Sequence, residues 1–599
     1  VVTVSLALLS TGAIGGITSG VSYAGESALP PGVAAGDIEY NGRITVGGEP
    51  VTAAINTAKK KGVIMFDGTA GERINIGFNG VSLTQFRVAL YGPDGAVVPT
   101  QVSAVKNYYA TTQRELSSQT KVQTSTTAYK FTDEETGSLI SSSQMNGASL
   151  DFVELPATGT YTILLDPLSE YTGSVAIAVS SALSGEIVPQ GSAVAVDIKR
   201  VGQNAYYTFS GQSGQTVSVQ LSDVTIRSGY FSILKPDGTP LGKPTSFVSG
   251  GAMIPAQVLP TSGTYSVLID PDLSYTGHAR LALYNAPELT GSIMIDQVTV
   301  TPTLTVPGQR ARYTFDGTAG QWVNLGLTGV SISTSTVSIL KPDGSKWSST
   351  TIGSSGGSLD PLTALPETGT YTITVEPVSN YTGSMTLALS SPVTGTLALD
   401  GPSVPVSLTK PGQTARYTFN GKAGQWVSLG LTSVDITSSA VTLMTSEGTI
   451  LASTAVGTAG GALEDQNPLP TTGTYTILVD PSSSYTGKMT VTLSTEVTDS
   501  LKINAAPRAI MISRAGQNGR YTFMGTANQE VTIKVTQNKI GNVNVSLYSP
   551  NGILQTGVTS SASSFTLKPV TLATSEMYTI TINPPMPDTG SIHMQVTSP

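Results

Sequence analysis

The chain predicts an all-β protein of tandem antiparallel β-sandwich modules, jelly-roll-like, set in an elongated rod. Three observations carry that expectation. A Gly-Thr-Tyr phrase or a close variant recurs with its tyrosine at Tyr161, Tyr265, Tyr371, Tyr475 and Tyr578, in steps of 104, 106, 104 and 103 residues, and so constant a period marks repeated structural units. Apolar and polar residues alternate around each such phrase, which is the spacing of a half-buried strand rather than a helix. Turns rich in Pro and Gly separate these runs at short intervals.

The period divides the 599 residues into expected segments. Residues 1–34 hold a strand resembling the end of a preceding module, then a linker. Residues 35–182 form a first sandwich with an insertion at about 97–149, and 183–286, 287–391, 392–495 and 496–599 form four more. About a hundred residues suffice for a separate core, so each module is expected to fold by itself.

Each module opens on a polar link and a short strand before Tyr-Thr-Phe or a variant, with phenylalanines at Phe66, Phe209, Phe315, Phe419 and Phe523. In the fourth, Tyr417 and Phe419 point one way and Thr418 the other; Asn420-Gly421 and Gly424 permit reversal, and Val427, Leu429 and Leu431 return to the first face. The next strand ends at Lys235-Pro-Asp-Gly238, Lys341-Pro-Asp-Gly344 or a variant such as Ser446-Glu447-Gly448, where Pro fixes the entry angle and Asp-Gly the return. Tyr475, Ile477 and Val479 share a face of a later strand, which Pro481 ends because it has no N–H to donate. Seven or eight such strands favour two packed sheets. The insertion, rich in Ser, Thr and Gln, reads as a mobile surface loop or a small subdomain.

Charged residues make up 12% of the chain and the net charge is -8, with no basic stripe, which argues against a nucleic-acid partner. Cysteine is absent, excluding disulfides and thiolate metal sites. The first 25 residues carry no charge. A signal-peptide core has this look, but no basic stretch precedes it. Ser5-Leu-Ala-Leu-Leu-Ser10 is closer to Thr386-Leu-Ala-Leu-Ser390, the last strand of a module, so Val4, Leu6 and Leu8 are candidates for assembly by strand addition to another subunit.

Phe315-Asp-Gly-Thr-Ala-Gly320, the Lys341-Pro-Asp-Gly344 turn, and Gly369-Thr-Tyr-Thr-Ile373 with Tyr381-Thr-Gly383 together resemble the landmarks of the bacterial pre-peptidase C-terminal domain. The likeness runs through five copies from about Gly36 to Pro599. It implies a secreted, jelly-roll-like accessory domain of extracellular enzymes and surface proteins, some members being associated with polymer binding or calcium. No peptidase sequence accompanies the copies.

Few residues are candidates for chemistry. His278 and His593 are the only histidines, too few for a repeated triad. Asp166, Asp270, Glu376 and Asp480 precede proline at matching positions, with Asn583 in the fifth; they read as turn caps taking backbone hydrogen bonds, or as shared calcium ligands. Calcium is the single cofactor left open. Tyr171, Tyr275, Tyr381 and Tyr485 are expected to bury their rings across a loop. Trp322 and Trp426 fall on the less-buried face, for packing within a module, contact between modules or subunits, or glycan stacking, and Trp347 is expected to be exposed likewise. Arg312, Arg416 and Arg520 recur beside Tyr-Thr-Phe, as solvated side chains, outward salt bridges or intermodule contacts.

The expected function is that of a noncatalytic extracellular structural protein, a cell-surface stalk or filament subunit, self-associating or joined to neighbouring modules. A carbohydrate-binding or adhesive array, with cell-surface glycans as partners, is the alternative.

Overall fold

The structure, a computed structural model, describes residues 29–98, 138–141, 148–151, 154–168, 170–272, 275–360, 363–464, 467–584 and 588–599. Among them the chain is all-β, with one short 3-10 turn at Ala35–Asp37 and no α-helix. The segment containing Val4, Leu6 and Leu8 lies outside the described residues.

Chain contacts divide the protein into two units, one of Val1–Ser213, Leu221–Ala252 and Pro260–Ala282, the other of Gly214–Gln220, Met253–Leu259 and Leu283–Pro599. The second unit holds repeats three to five, and repeat four gives the plan. One sheet runs in the order Val393–Thr396, Ala415–Gly421, Gly473–Pro481, Ser439–Thr445, Ile450–Val456, and a second in the order Val404–Leu408, Gly487–Thr495, Val427–Thr432, Gly461–Glu464. The Val393↔Ala415 pairing is parallel. Its other ladders are antiparallel.

Alternation forms these strands. Ala415, Tyr417 and Phe419 are buried while Arg416 and Thr418 are half-exposed, so one face enters a core with Leu429, Leu443, Ile477 and Val491. Repeats one, three and five hold corresponding clusters around Phe66, Phe315 and Phe523. At each centre the recurrent tyrosine, at most 1% exposed, stacks on the recurrent phenylalanine with ring centroids 5.4 to 5.8 Å apart. Its hydroxyl donates to the carbonyl four residues back, as Tyr371 does to Glu367 at 2.8 Å. Burying the ring without this partner would strand a polar atom.

In the first unit, repeat one follows the same plan. The described ends of its insertion belong to the repeat's own sheets: Val97–Val98 and Ser138–Ser141 pair with Gln85–Tyr91, and Ala148–Asp151 pairs with Ile74–Asn79. These pieces are neither loop nor subdomain. In repeat two the strand Thr245–Val248 continues into the next through Val248↔Gly251, where the corresponding sheets of repeats four and five stop; two cleanly separate sheets per module, as expected from sequence, do not hold there.

Candidate repeat-docking interface

Val427–Thr432 departs from simple alternation, because Val427 through Leu431 are all buried. Val427, Leu429 and Leu431 face the core. Ser428 and Gly430, on the opposite face, are covered by the start of repeat five. The docking segment is a tight turn, Arg514-Ala515-Gly516-Gln517, with Gly516 at φ 69°. A Cβ on Gly430 would overlap the Ala515 carbonyl oxygen, and one on Gly516 would stand 2.5 Å from the Gly430 Cα. Two backbones touch here, so both positions require glycine.

The same contact recurs. Gly412 meets Gly326 between repeats three and four, and Gly202 meets Gly77 between repeats one and two, with the apex glycines at φ 68° and 74°. Small residues flank each platform glycine: Ala178 and Ser149 beside Gly77, Ala388 and Ser358 beside Gly326, Thr492 and Ala462 beside Gly430. Between repeats two and three the platform residue is Gln220, whose amide oxygen accepts from Tyr284 at 2.9 Å. There the apex Gly308 lies on Ser218 and Met253, and the Ser218 hydroxyl donates to Pro307 at 2.6 Å.

Next to each apex glycine stands a buried glutamine. Gln203, Gln309, Gln413 and Gln517, 4 to 8% exposed, accept from the backbone N–H four residues earlier and donate to carbonyls of the preceding link, Ser181, Pro287, Ser391 and Thr495, at 2.9 to 3.1 Å. One side chain thus ties the turn to the linker. Basic residues reach further back: Lys410 Nζ donates to the Asp296 carboxylate at 2.7 Å, Arg514 donates to the Asp400 carbonyl at 3.1 Å, and Arg200 donates to the Gly48 carbonyl.

The recurrent tryptophans and arginines meet at these junctions. Arg416 lies 3.6 Å from the ring centroid of Trp322, and Arg520 lies 3.6 Å from that of Trp426, each bridging successive repeats. Burial pulls the Arg416 pKa down, but a guanidinium stays charged. The first junction reverses the chemistry. Arg73, at the tryptophan's position, lies over Tyr206, at the arginine's position, at 4.7 Å. Arg312 has Thr216 at the corresponding place and bonds Glu288 at 3.0 Å.

Beside Trp322 and Arg416 a cavity of about 20 Å³ is lined also by Asn324, Asp360, Thr414 and Asp480, room for about one water. Burial, and then the neighbouring Asp360, push the Asp480 carboxyl up to about 6. Asp360 is also raised, by burial, against hydrogen bonds from Ser358 and Asn324.

Several expected roles change. Asp166, Asp270, Glu376 and Asp480 occupy the penultimate positions of strands rather than capping turns: Asp166 pairs with Lys61 at 2.9 Å, Glu376 with Arg310 at 3.7 Å, and Asp270 is wholly buried. Tyr171, Tyr381 and Tyr485 are 37 to 43% exposed, and Tyr275 is half-buried beside Arg227; their backbone N–H groups close the turns instead. Trp347 packs on its core, 6.2 Å from the Tyr371 ring. Among the described residues no group of three His, Cys, Asp or Glu is placed to hold a metal, and no helix is long and apolar enough to cross a membrane.

The glycine contacts and buried glutamines went unread in the sequence. The signal was present: Gly-Gln stands seven and six residues before the phenylalanine in repeats two to five.

These features define an all-β protein of tandem repeats whose most developed site is the interface between neighbouring repeats. No family model and no curated protein matches the chain. Among solved structures, the periplasmic inhibitor of g-type lysozyme from Aeromonas hydrophila is 13% identical, over 17% of this chain and 98% of that one, with a TM-score of 0.12. A β-glucuronidase from Ruminococcus gnavus is 10% identical over 31% of this chain, with a TM-score of 0.12, and only 36% of the enzyme is spanned. Likenesses this faint carry no argument.

Proposed function

We propose that the chain is a noncatalytic extracellular structural protein, a cell-surface stalk or filament subunit, whose repeats are sandwiches that fold separately and then dock. The observation that carries this reading is the position of Trp322 and Trp426 under Arg416 and Arg520. A tryptophan face already occupied by a guanidinium of the next repeat stiffens a junction and is withdrawn from sugar stacking, which favours the structural role over the adhesive array. An elongated rod, and strand addition through Val4, Leu6 and Leu8, belong to the same proposal.

The competing architecture is a continuous β-solenoid, in which neighbouring coils share one core. Excision of residues 392–495 separates the two. A cooperative unfolding transition and dispersed amide spectrum for that fragment support separate sandwiches, whereas a fragment that stays unfolded favours the solenoid. Binding of the intact chain to a glycan panel, abolished by substitution of an exposed aromatic residue, would reverse the functional ranking.

A further inference from the structure

Every described junction places a left-handed glycine, Gly202, Gly308, Gly412 or Gly516, at the apex of the docking turn. Repeat one has the same turn with Lys59 at the apex. Its φ is 67°, so the backbone shape is kept, but its side chain, 75% exposed, extends beyond the turn, with Nζ 3.7 Å from the Glu170 carboxylate. Lys60 stands where the other repeats have the linking glutamine, and its Nζ donates to the Gly36 carbonyl.

Repeat five departs at the complementary place. Lys534, exposed, occupies the register position of Gly77, Gly326 and Gly430. Its neighbours across the sheet are Thr566 and Gln595, larger than most residues flanking the other platforms, and Gln595 is held by the Ala505 carbonyl at 2.8 Å. Glu530, also exposed, replaces the tryptophan. Thr532 is half-exposed, whereas its counterparts Asn75, Ser218, Asn324 and Ser428 are at most 5% exposed under a docked turn.

We propose that the apex of repeat one and the platform of repeat five are closed to the docking used between internal repeats, so copies of this chain do not join through that geometry. Brought together in it, Lys59 would meet Lys534. The contact demands two backbones within van der Waals distance. Here two β-carbons and two lysine side chains occupy that space; Glu170 offsets part of the Lys59 charge, so the block is chiefly steric, and apposition of the two lysines adds to it. Gln220 shows that a larger platform residue is accommodated when the apex is glycine, which makes Lys59 the stronger of the two blocks. The device would permit tight stacking inside one chain while preventing runaway stacking between chains.

The test uses full-length chains carrying single substitutions. Lys59→Gly opens an apex and Lys534→Gly opens a platform, so an equimolar mixture gains one matched pair of faces. Sedimentation velocity across a concentration series is expected to show a new two-chain species in the mixture, associating at least tenfold more tightly than wild-type chains do with each other. The double variant Lys59→Gly/Lys534→Gly should extend this into longer species. Retention of wild-type circular dichroism and melting establishes that each variant is folded. Folded variants that sediment like wild type, singly and mixed, would overturn the proposal. So would a wild-type association that Lys59→Glu weakens, because that outcome places the native lysine in a contact. Should Lys534→Gly fail to fold, Lys534→Ser mixed with Lys59→Gly supplies the same comparison.

Discussion

The guanidinium of Arg416 lies 3.6 Å from the centre of the Trp322 ring, although 94 residues separate them along the chain. Such a pair contributes about 0.5–2 kcal/mol, more as it is desolvated. Arg416 lies within its strand and Trp322 two residues before its own, in the segment that follows the turn, so one partner is held by a sheet and the other by the short link leading into one. In a double-mutant cycle of Trp322→Leu and Arg416→Gln, chemical denaturation should give a coupling of about 1 kcal/mol. Additive effects would assign the stacking no energetic role.

A second expectation concerns the glycine contact. Gly430→Ala forces a methyl group onto the Ala515 carbonyl, and overpacking of this kind costs about 1–3 kcal/mol. Gly473→Ala, at a position with no atom within 4 Å of the new Cβ, is the control. Amide exchange should accelerate around Ala515 and Gly516 in the first variant alone.

The core tyrosines give a third. Tyr371→Phe keeps the stacked ring and removes the hydroxyl that bonds Glu367 at 2.8 Å, leaving a carbonyl short of a partner at about 1–2 kcal/mol. Chemical denaturation of the intact chain, followed by amide exchange in the third repeat, measures it. An unchanged midpoint would mean that water takes over the bond.

The junction between repeats three and four should respond to pH. Asp480 is raised from 3.8 to about 6 by burial and by Asp360, with Arg416 the facing cation in the same cavity. A carboxyl with a raised folded pKa binds its proton more tightly folded than unfolded. The stability it contributes is therefore complete below 3.8 and is lost as pH rises through about 6, by roughly 3 kcal/mol at the upper bound. Asp480→Asn should abolish that portion of the dependence, read as a smaller difference in denaturation midpoint between about pH 4 and pH 7.5 than in wild type.

Tyr-Thr-Phe and Gly-Thr-Tyr were legible because alternation at a spacing of two is a local property: whichever way the chain folds, one face of such a strand must leave water. The period extended that reading to the five repeats. The surface was less legible. Tyr485, expected to bury its ring across a loop, is 43% exposed, while Ser428, which alternation with Val427 and Leu429 turns away from the core, is 1% exposed. Both depend on what covers the strand from outside, and that neighbour lies a full repeat away.

The sequence by itself determined the strands, their turns and the inward face of each sheet, since these follow from residue alternation and from the backbone limits of Pro and Gly over a few positions. Only the tertiary structure decided that Gly430 receives Gly516, that Trp426 lies beneath Arg520 and that Asp480 shares a cavity with Asp360. The reason is distance along the chain: contacts between residues about ninety or more positions apart are set by how whole sheets dock, and no local pattern encodes the partner.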